Sequence, residues 1–215
     1  MKRIAILGCL AAVALPVTAA DGARRVACSM SGSRTVLATS SAKIVAKRGI
    51  ANPSYRVTRY YGCRYRTDRF FRLAIVGEPG VFEDSVSHAR LAGPFASVAT
   101  QYEDPAGENV HASVKVVDLR DGRKPVRYSA LPDQTNVFVT DLVLAPSATV
   151  AWIERRTTFP EPGKTQNAYE VHWANAAGQH LLDSGPDVQP GSLARAGSTL
   201  YWTRGAQPRS AQLIS

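Results

Sequence analysis

The feature that most restricts how this chain can fold is a self-similarity with a period of about 50 residues. Residues 198–205, STLYWTRG, lie over SATVAWIE, which begins at Ser147, so that Trp202 and Trp152 stand in register 50 residues apart. GPFASVAT puts Val98 at the same point 54 residues earlier, and SSAKIVAK puts Ile44 another 54 back. A second mark keeps the period. Gly122 in VVDLRDGRKPV answers to Gly178 in HWANAAGQHLL, 56 later, and to Asp68 in CRYRTDRFFRL, 54 earlier. Repeats of this size bury their apolar faces against neighbouring copies, so the period points to an array of similar layers.

The layers read as sheets. After residue 21 no apolar spacing at i, i+3, i+4 and i+7 is sustained, and Gly, Pro and Asn interrupt the chain at short intervals. Runs such as VHASVKVVDL, NVFVTDLVLA, TVAWIE and AYEVHWA have the β-branched and aromatic content of strands. Each unit divides into four: a short first strand (HARLAG, LVLAP, SLARAG), a second carrying the Trp or Val mark, a third after a long loop, and a fourth after the Gly or Asp turn. The expected fold is all-β, built of antiparallel four-stranded units.

In the size and strand count of its units the chain resembles β-propellers with blades of the kelch or WD40 kind, although neither a Gly-His to Trp-Asp signature nor a kelch double glycine is present. The resemblance covers residues 24–215 and implies about four blades. The fourth unit is short of its outermost strand, and the spare segment RRVACS, residues 24–29, is expected to supply it, as propellers often close by borrowing a strand from the other terminus.

Residues 1–20 have the form of a secretory signal peptide: Lys2 and Arg3, an apolar run from Ile4 to Leu15, Pro16, and small residues before Asp21. The apolar run is too short for a spanning helix, and no other segment qualifies. A single domain is expected over 21–215, at the cell surface or outside the cell. Cleavage removes one of three cysteines, and the remaining pair, Cys28 and Cys63, is expected to form a disulfide in an oxidising compartment. The full chain has 26 basic and 17 acidic residues; losing Lys2 and Arg3 and no acid leaves a charge of +7.

Chemistry is sparse. There is no Gly-x-Ser-x-Gly elbow, His-Glu-x-x-His zinc site, phosphate-cradling glycine loop or Cys-x-x-Cys pair, so no catalytic residue, metal ligand or cofactor is assigned. The four histidines are scattered, and His172, inside a strand, reads as structural. Residues 56–72, RVTRYYGCRYRTDRFFR, interleave six arginines with aromatic rings. Arg64, Arg66, Arg69, Tyr60 and Tyr65 are the candidate ligand-binding residues there, because guanidinium groups and ring faces together suit polymers bearing phosphate or carboxylate. A plain two-faced hairpin explains the same pattern by alternation. The connections between units carry acids: Glu83, Asp84, Asp133, Asp141, Asp183 and Asp187.

The function expected on these grounds is an exported, non-catalytic binding module for an anionic cell-envelope or extracellular polymer, or for another extracellular protein; an exported chain has little occasion to meet nucleic acid. The alternative is an extracellular carbohydrate-active enzyme using the carboxylates of the inter-unit loops. Alkylation of the exported protein without reduction is expected to add no mass, and the appearance of two modified cysteines would refute the Cys28–Cys63 bridge.

Overall fold

The computed structural model describes residues 27–53, 55–77, 83–104, 109–130 and 136–213. The leader at 1–20 and residues 24–26 of the expected closing strand lie outside them. Fifteen strands and no helix are found among the described residues, in four antiparallel sheets that follow the chain order. The first sheet contains β1 (Ser33–Ala38), β2 (Ala42–Asn52), β3 (Tyr55–Arg64) and β4 (Arg69–Val76). The second contains β5 (Ser85–Ala92), β6 (Phe95–Glu103), β7 (Val110–Asp118) and β8 (Val126–Ser129). The third contains β9 (Asn136–Leu144), β10 (Val150–Glu161), β11 (Lys164–Asn175) and β12 (Gly178–Gly185). The fourth contains β13 (Ala194–Ala196), β14 (Thr199–Arg204) and β15 (Gln207–Gln212). Within each sheet, strands lie side by side in sequence order.

The sheets pack in series through three apolar cores. Ile44 and Leu73 of the first sheet meet Ala96, Val98, Val117 and Leu119 around the second. The opposite face of the second sheet, with Phe95, Val114 and Val116, meets Leu142, Val150 and Trp152 of the third. The far face of the third, with Ile153, Val171 and Trp173, meets Leu200 and Trp202 of the fourth. The first two sheets approach so closely that a Cβ at Gly62 would lie 2.6 Å from Leu119 Cδ2, so a larger residue there would have to displace the Leu119 side chain.

The hydrogen-bond register shows a further repeated device. The first strand of each four-stranded sheet carries one unpaired extra residue, Val36, Ser87 and Thr140. Such a β-bulge bends the strand and re-aims its side chains. In two copies a hydroxyl secures it: Ser87 Oγ donates to the Ala99 carbonyl at 3.3 Å and Thr140 Oγ1 to the Ile153 carbonyl at 3.2 Å. Ala99 follows Val98 and Ile153 follows Trp152, so the alignment of these two marks holds at the level of single atoms.

The first unit needs a correction of one residue. Its bulge falls between the partners of Ile44 and Val45, which makes Ile44 the counterpart of Ala99 and Ile153, and Lys43 the counterpart of Val98 and Trp152. Because side chains alternate, a slip of one residue exchanges the faces. Ile44 accordingly packs forward onto the second sheet, whereas Val98, Trp152 and Trp202 pack backward onto the preceding one. The turn marks stand where expected, between third and fourth strands, with positive φ at Asp68 (50°) and Gly122 (84°).

The disulfide between Cys28 and Cys63 is present. Cys28 lies in a turn on the first sheet, where its N–H also donates to the Asp68 carboxylate. It does not join the fourth sheet. Among the described residues that sheet has three strands, and β15 pairs only with β14. Cys63 pairs with Lys43 and points backward, so the disulfide holds Cys28 against the side of the first sheet that faces away from the second.

Trp152 is fully buried between the second and third sheets, and Trp202 is 6% exposed between the third and fourth. Replacing either by alanine is expected to destabilise the fold by about 3 to 5 kcal/mol. Urea unfolding of the two variants checks this, and a small loss at Trp202 beside a large one at Trp152 would show that the fourth sheet is not integral to the stack.

Candidate ligand cleft and buried ionic cluster

Backward-facing positions on the second and third strands of a unit determine what lies at each junction between sheets. The register pairs Val98 with Lys115, Trp152 with His172, and Trp202 with Arg209. Each junction therefore carries a cationic or titratable side chain next to its apolar mark, near the margin where the core gives way to solvent. The three junctions treat this charge differently.

At the second junction it is neutralised internally. Glu154 is fully buried and accepts from the Tyr128 hydroxyl at 2.8 Å, Trp152 Nε1 at 3.1 Å and Arg156 Nε at 3.0 Å. Arg156 Nε also lies 3.2 Å from Glu170 Oε2, and His172 Nε2 lies 2.9 Å from the same oxygen. The imidazole stacks on Trp152 at 5.2 Å, and its Nδ1 meets the Gln179 amide at 3.0 Å, a partner that serves either protonation state because an amide can donate or accept. Burial pushes the Glu154 carboxyl up, but His172, Trp152 and Tyr128 outweigh it and hold the group down at about 2. Burial lowers the His172 imidazole, while its bonds to Glu154 and Glu170 raise it further, for a net rise. Two carboxylates thus face one guanidinium and an imidazole whose protonated form they favour.

The same three acidic and imidazole groups could converge on a cation, since Glu154, Glu170 and His172 each offer a ligand atom within 4.8 Å of the others. Arg156 already supplies the positive charge between them, so the cluster is self-contained. At the third junction Asp183 and Asp187 match Arg204 and Arg209 in number, and Arg204 takes the direct ion pairs while Arg209 has none among the described residues. Trp202 Nε1 donates to Asp183 at 2.8 Å, Arg204 Nη1 to Asp183 at 2.8 Å and Arg204 Nε to Asp187 at 3.1 Å.

The first junction differs. Lys115, reaching back from β7, enters a cleft of about 450 Å³ at the outer margin of the first two sheets, with Arg72, Lys124 and Arg127 around it and Glu83 as the acid in its lining. Lys115 and Arg127 are neighbours across β7 and β8. Among the described residues none of the four cations has a carboxylate within ion-pair distance. Burial, and then the nearby Lys124, Arg127 and Arg72, hold the Lys115 amine below its ordinary range against the opposing pull of Glu83. Such an arrangement of like charges is stabilised by an anion.

The sequence-derived candidates are dispersed. Tyr60 stands on the face turned toward the second sheet and packs on the first core. Arg64 and Arg69 are partners at the end of the β3–β4 hairpin, Arg66 is exposed in its turn, and the Tyr65 N–H is bonded to the Ser41 carbonyl. Arg69 lies over the Phe71 ring at 5.3 Å. No single cleft gathers these five. Arg72, from the same stretch, is the one that reaches the cleft, together with lysines and an arginine from the second sheet that no sequence motif singles out. Their signal was a lysine set between valines in the strand run VHASVKVVDL.

The loop acids are largely engaged in structure. Asp84 accepts the Glu103 N–H at 2.6 Å, Asp141 accepts the Leu193 N–H at 2.9 Å, and Asp183 and Asp187 hold Trp202 and Arg204 as described. Asp133 lies outside the described residues. No protein-family model matches the chain, and no curated protein is detectably similar to it.

The cluster predicts a two-sided pH dependence of stability. The raised His172 group stabilises the fold fully below the ordinary histidine value, near 6.5, and its contribution is lost as pH rises through the folded value. The depressed Glu154 group contributes above the ordinary glutamate value and is lost as pH falls toward about 2. The gap in unfolding free energy between the wild type and His172→Gln is expected to narrow from pH 5 to 9, leaving at the alkaline end only the loss of ring packing. A constant gap between them would mean that imidazole protonation contributes nothing.

Proposed function

We propose that the chain is an exported, non-catalytic binding module whose ligand is anionic and sits at the junction of the first and second sheets. The observation that carries this reading is the contrast among junctions: charge is cancelled within the protein at two of them and left in excess at the first. An excess of cations in a partly buried cleft is costly to the free protein and favours a ligand that removes the repulsion. The engagement of the loop carboxylates by backbone amides, arginine and tryptophan favours binding over glycosidic chemistry. We also read the four sheets as blades of a propeller-like arc, in which the first strands of successive units adjoin; β5 lies against both β1 and β9.

Replacing Lys115 and Arg127 together by glutamine is expected to weaken binding to an anionic matrix such as immobilised heparin by about ten-fold for each positive charge removed, and to reduce the dependence of elution on salt. The triple change of Arg64, Arg66 and Arg69 to glutamine is the comparison. Unchanged retention of the cleft variant, with weaker retention of the hairpin variant, would move the ligand to the β3–β4 turn.

A further inference from the structure

The face of the first sheet that meets the second extends beyond the area the second sheet covers. β2 and β3 are 11 and 10 residues long, and their outer parts project past Ile44 and Gly62. On the projecting surface Ala46 pairs with Tyr60 and Arg48 with Thr58, and Arg34 pairs with Ala46 from β1. Alternation places Arg34, Arg48 and Arg56 on the same side as Ile44. Two adjoining clefts lie there, of about 300 and 670 Å³, both touching Arg48, Thr58 and Val76. All three arginines are exposed, and among the described residues none is ion-paired.

These clefts adjoin the Lys115 cleft at the end of one strand. Arg72 to Ile75 of β4 line the Lys115 cleft, and the next residue, Val76, lines the other two. Glu83 bridges to Val76 through its backbone and so marks the crossing point. Seven cations from the two sheets thus line three clefts, which follow β4 from Arg72 to Val76 and then cross β3 and β2 toward Arg34 on β1, the opposite edge of the sheet. A single small anion fills one cleft and leaves the rest of this charge unanswered.

We propose that the ligand is an extended acidic polysaccharide that runs along β4 from the Lys115 cleft into the Arg34–Arg48 clefts. This rests on the reading of the Lys115 cleft as an anion site and adds the polymer and its path. Repeated carboxylates match guanidinium groups two atoms at a time. Single-stranded nucleic acid fits less well, because it needs open aromatic faces on which bases stack. The tyrosines that line the track offer little open ring: Tyr60, in the 300 Å³ cleft, also packs on the first core, and Tyr102 stacks on the His111 ring at 6.2 Å.

The test uses the whole exported protein and three probes at low salt: a galacturonate dimer, a galacturonate decamer and a ten-nucleotide thymidine oligomer. The decamer is expected to bind about 100-fold more tightly than the dimer, since a second contact on one chain is intramolecular. Arg34→Gln combined with Arg48→Gln is expected to erase that ratio while leaving dimer binding unchanged; both sites are exposed, and retention of the thermal unfolding midpoint verifies the fold. Equal affinity of dimer and decamer in the wild type would overturn the track but leave the Lys115 cleft as a local anion site. Binding of neither galacturonate would overturn both readings. Tighter binding of the thymidine oligomer than of the decamer would replace the polysaccharide with nucleic acid.

Discussion

The architecture depends on second strands that are buried on both faces. Residues 95–100 of β6 and 150–154 of β10 are buried without interruption. A strand of this kind has no face to offer water, so the sheet that contains it must be covered on both sides, and the two inner sheets can exist only between neighbours. The serial cores, the glycine at the tight approach of Gly62, and the backward position of each mark follow from that one requirement. It also explains why polar groups at the junctions are arranged so carefully. Glu154 stands at the end of a fully buried run, where a carboxylate without partners would be several kcal/mol unfavourable, and it has four partners.

The repeat was legible because its marks are residues that the packing needs. Trp152 and Trp202 fill equivalent spaces, and the turns at Asp68 and Gly122 need a positive φ. The one-residue error in the first unit has a definite cause. Similarity of apolar character selects Ile44, but the facing of the strand is set by the bulge at Val36, and a bulge made of valine leaves no trace in sequence. In the other units a serine and a threonine secure the bulge through their hydroxyls, a signal visible only once the strand partners are known. The cleft was hidden for a related reason. Arg72 and Arg127 are 55 residues apart and are brought together by the stacking of two sheets, whereas the dense arginines of residues 56–72 are conspicuous in sequence and scattered in space.

The three junctions are variations on one plan. A residue beside the mark reaches back toward the preceding sheet in every case, and what differs is the company it keeps: cations at Lys115, carboxylates at His172, an aspartate-arginine pair beside Arg209. Cys63 occupies the same position in the first unit, and its sulfur is bonded to Cys28 where another layer would otherwise begin. One position in the repeat thus carries a lysine among cations, a histidine and an arginine beside internal ion pairs, and a covalent cap. The scaffold keeps its shape from copy to copy while the chemistry at this point varies freely, because the surrounding core already fixes the geometry.

The fourth sheet breaks the rule of double burial. Along β14 buried and exposed residues alternate, with Leu200 and Trp202 turned inward and Tyr201 42% exposed. This makes it a boundary layer, wetted on one side, and gives the stack a direction. Lengthening the protein by one module would therefore succeed only from within. A copy of the third unit spliced into the connection between β8 and β9 would find an apolar neighbour on each side. The same copy placed beyond β15 would rest on a polar surface and turn its own oily far face outward, where it would seek another molecule.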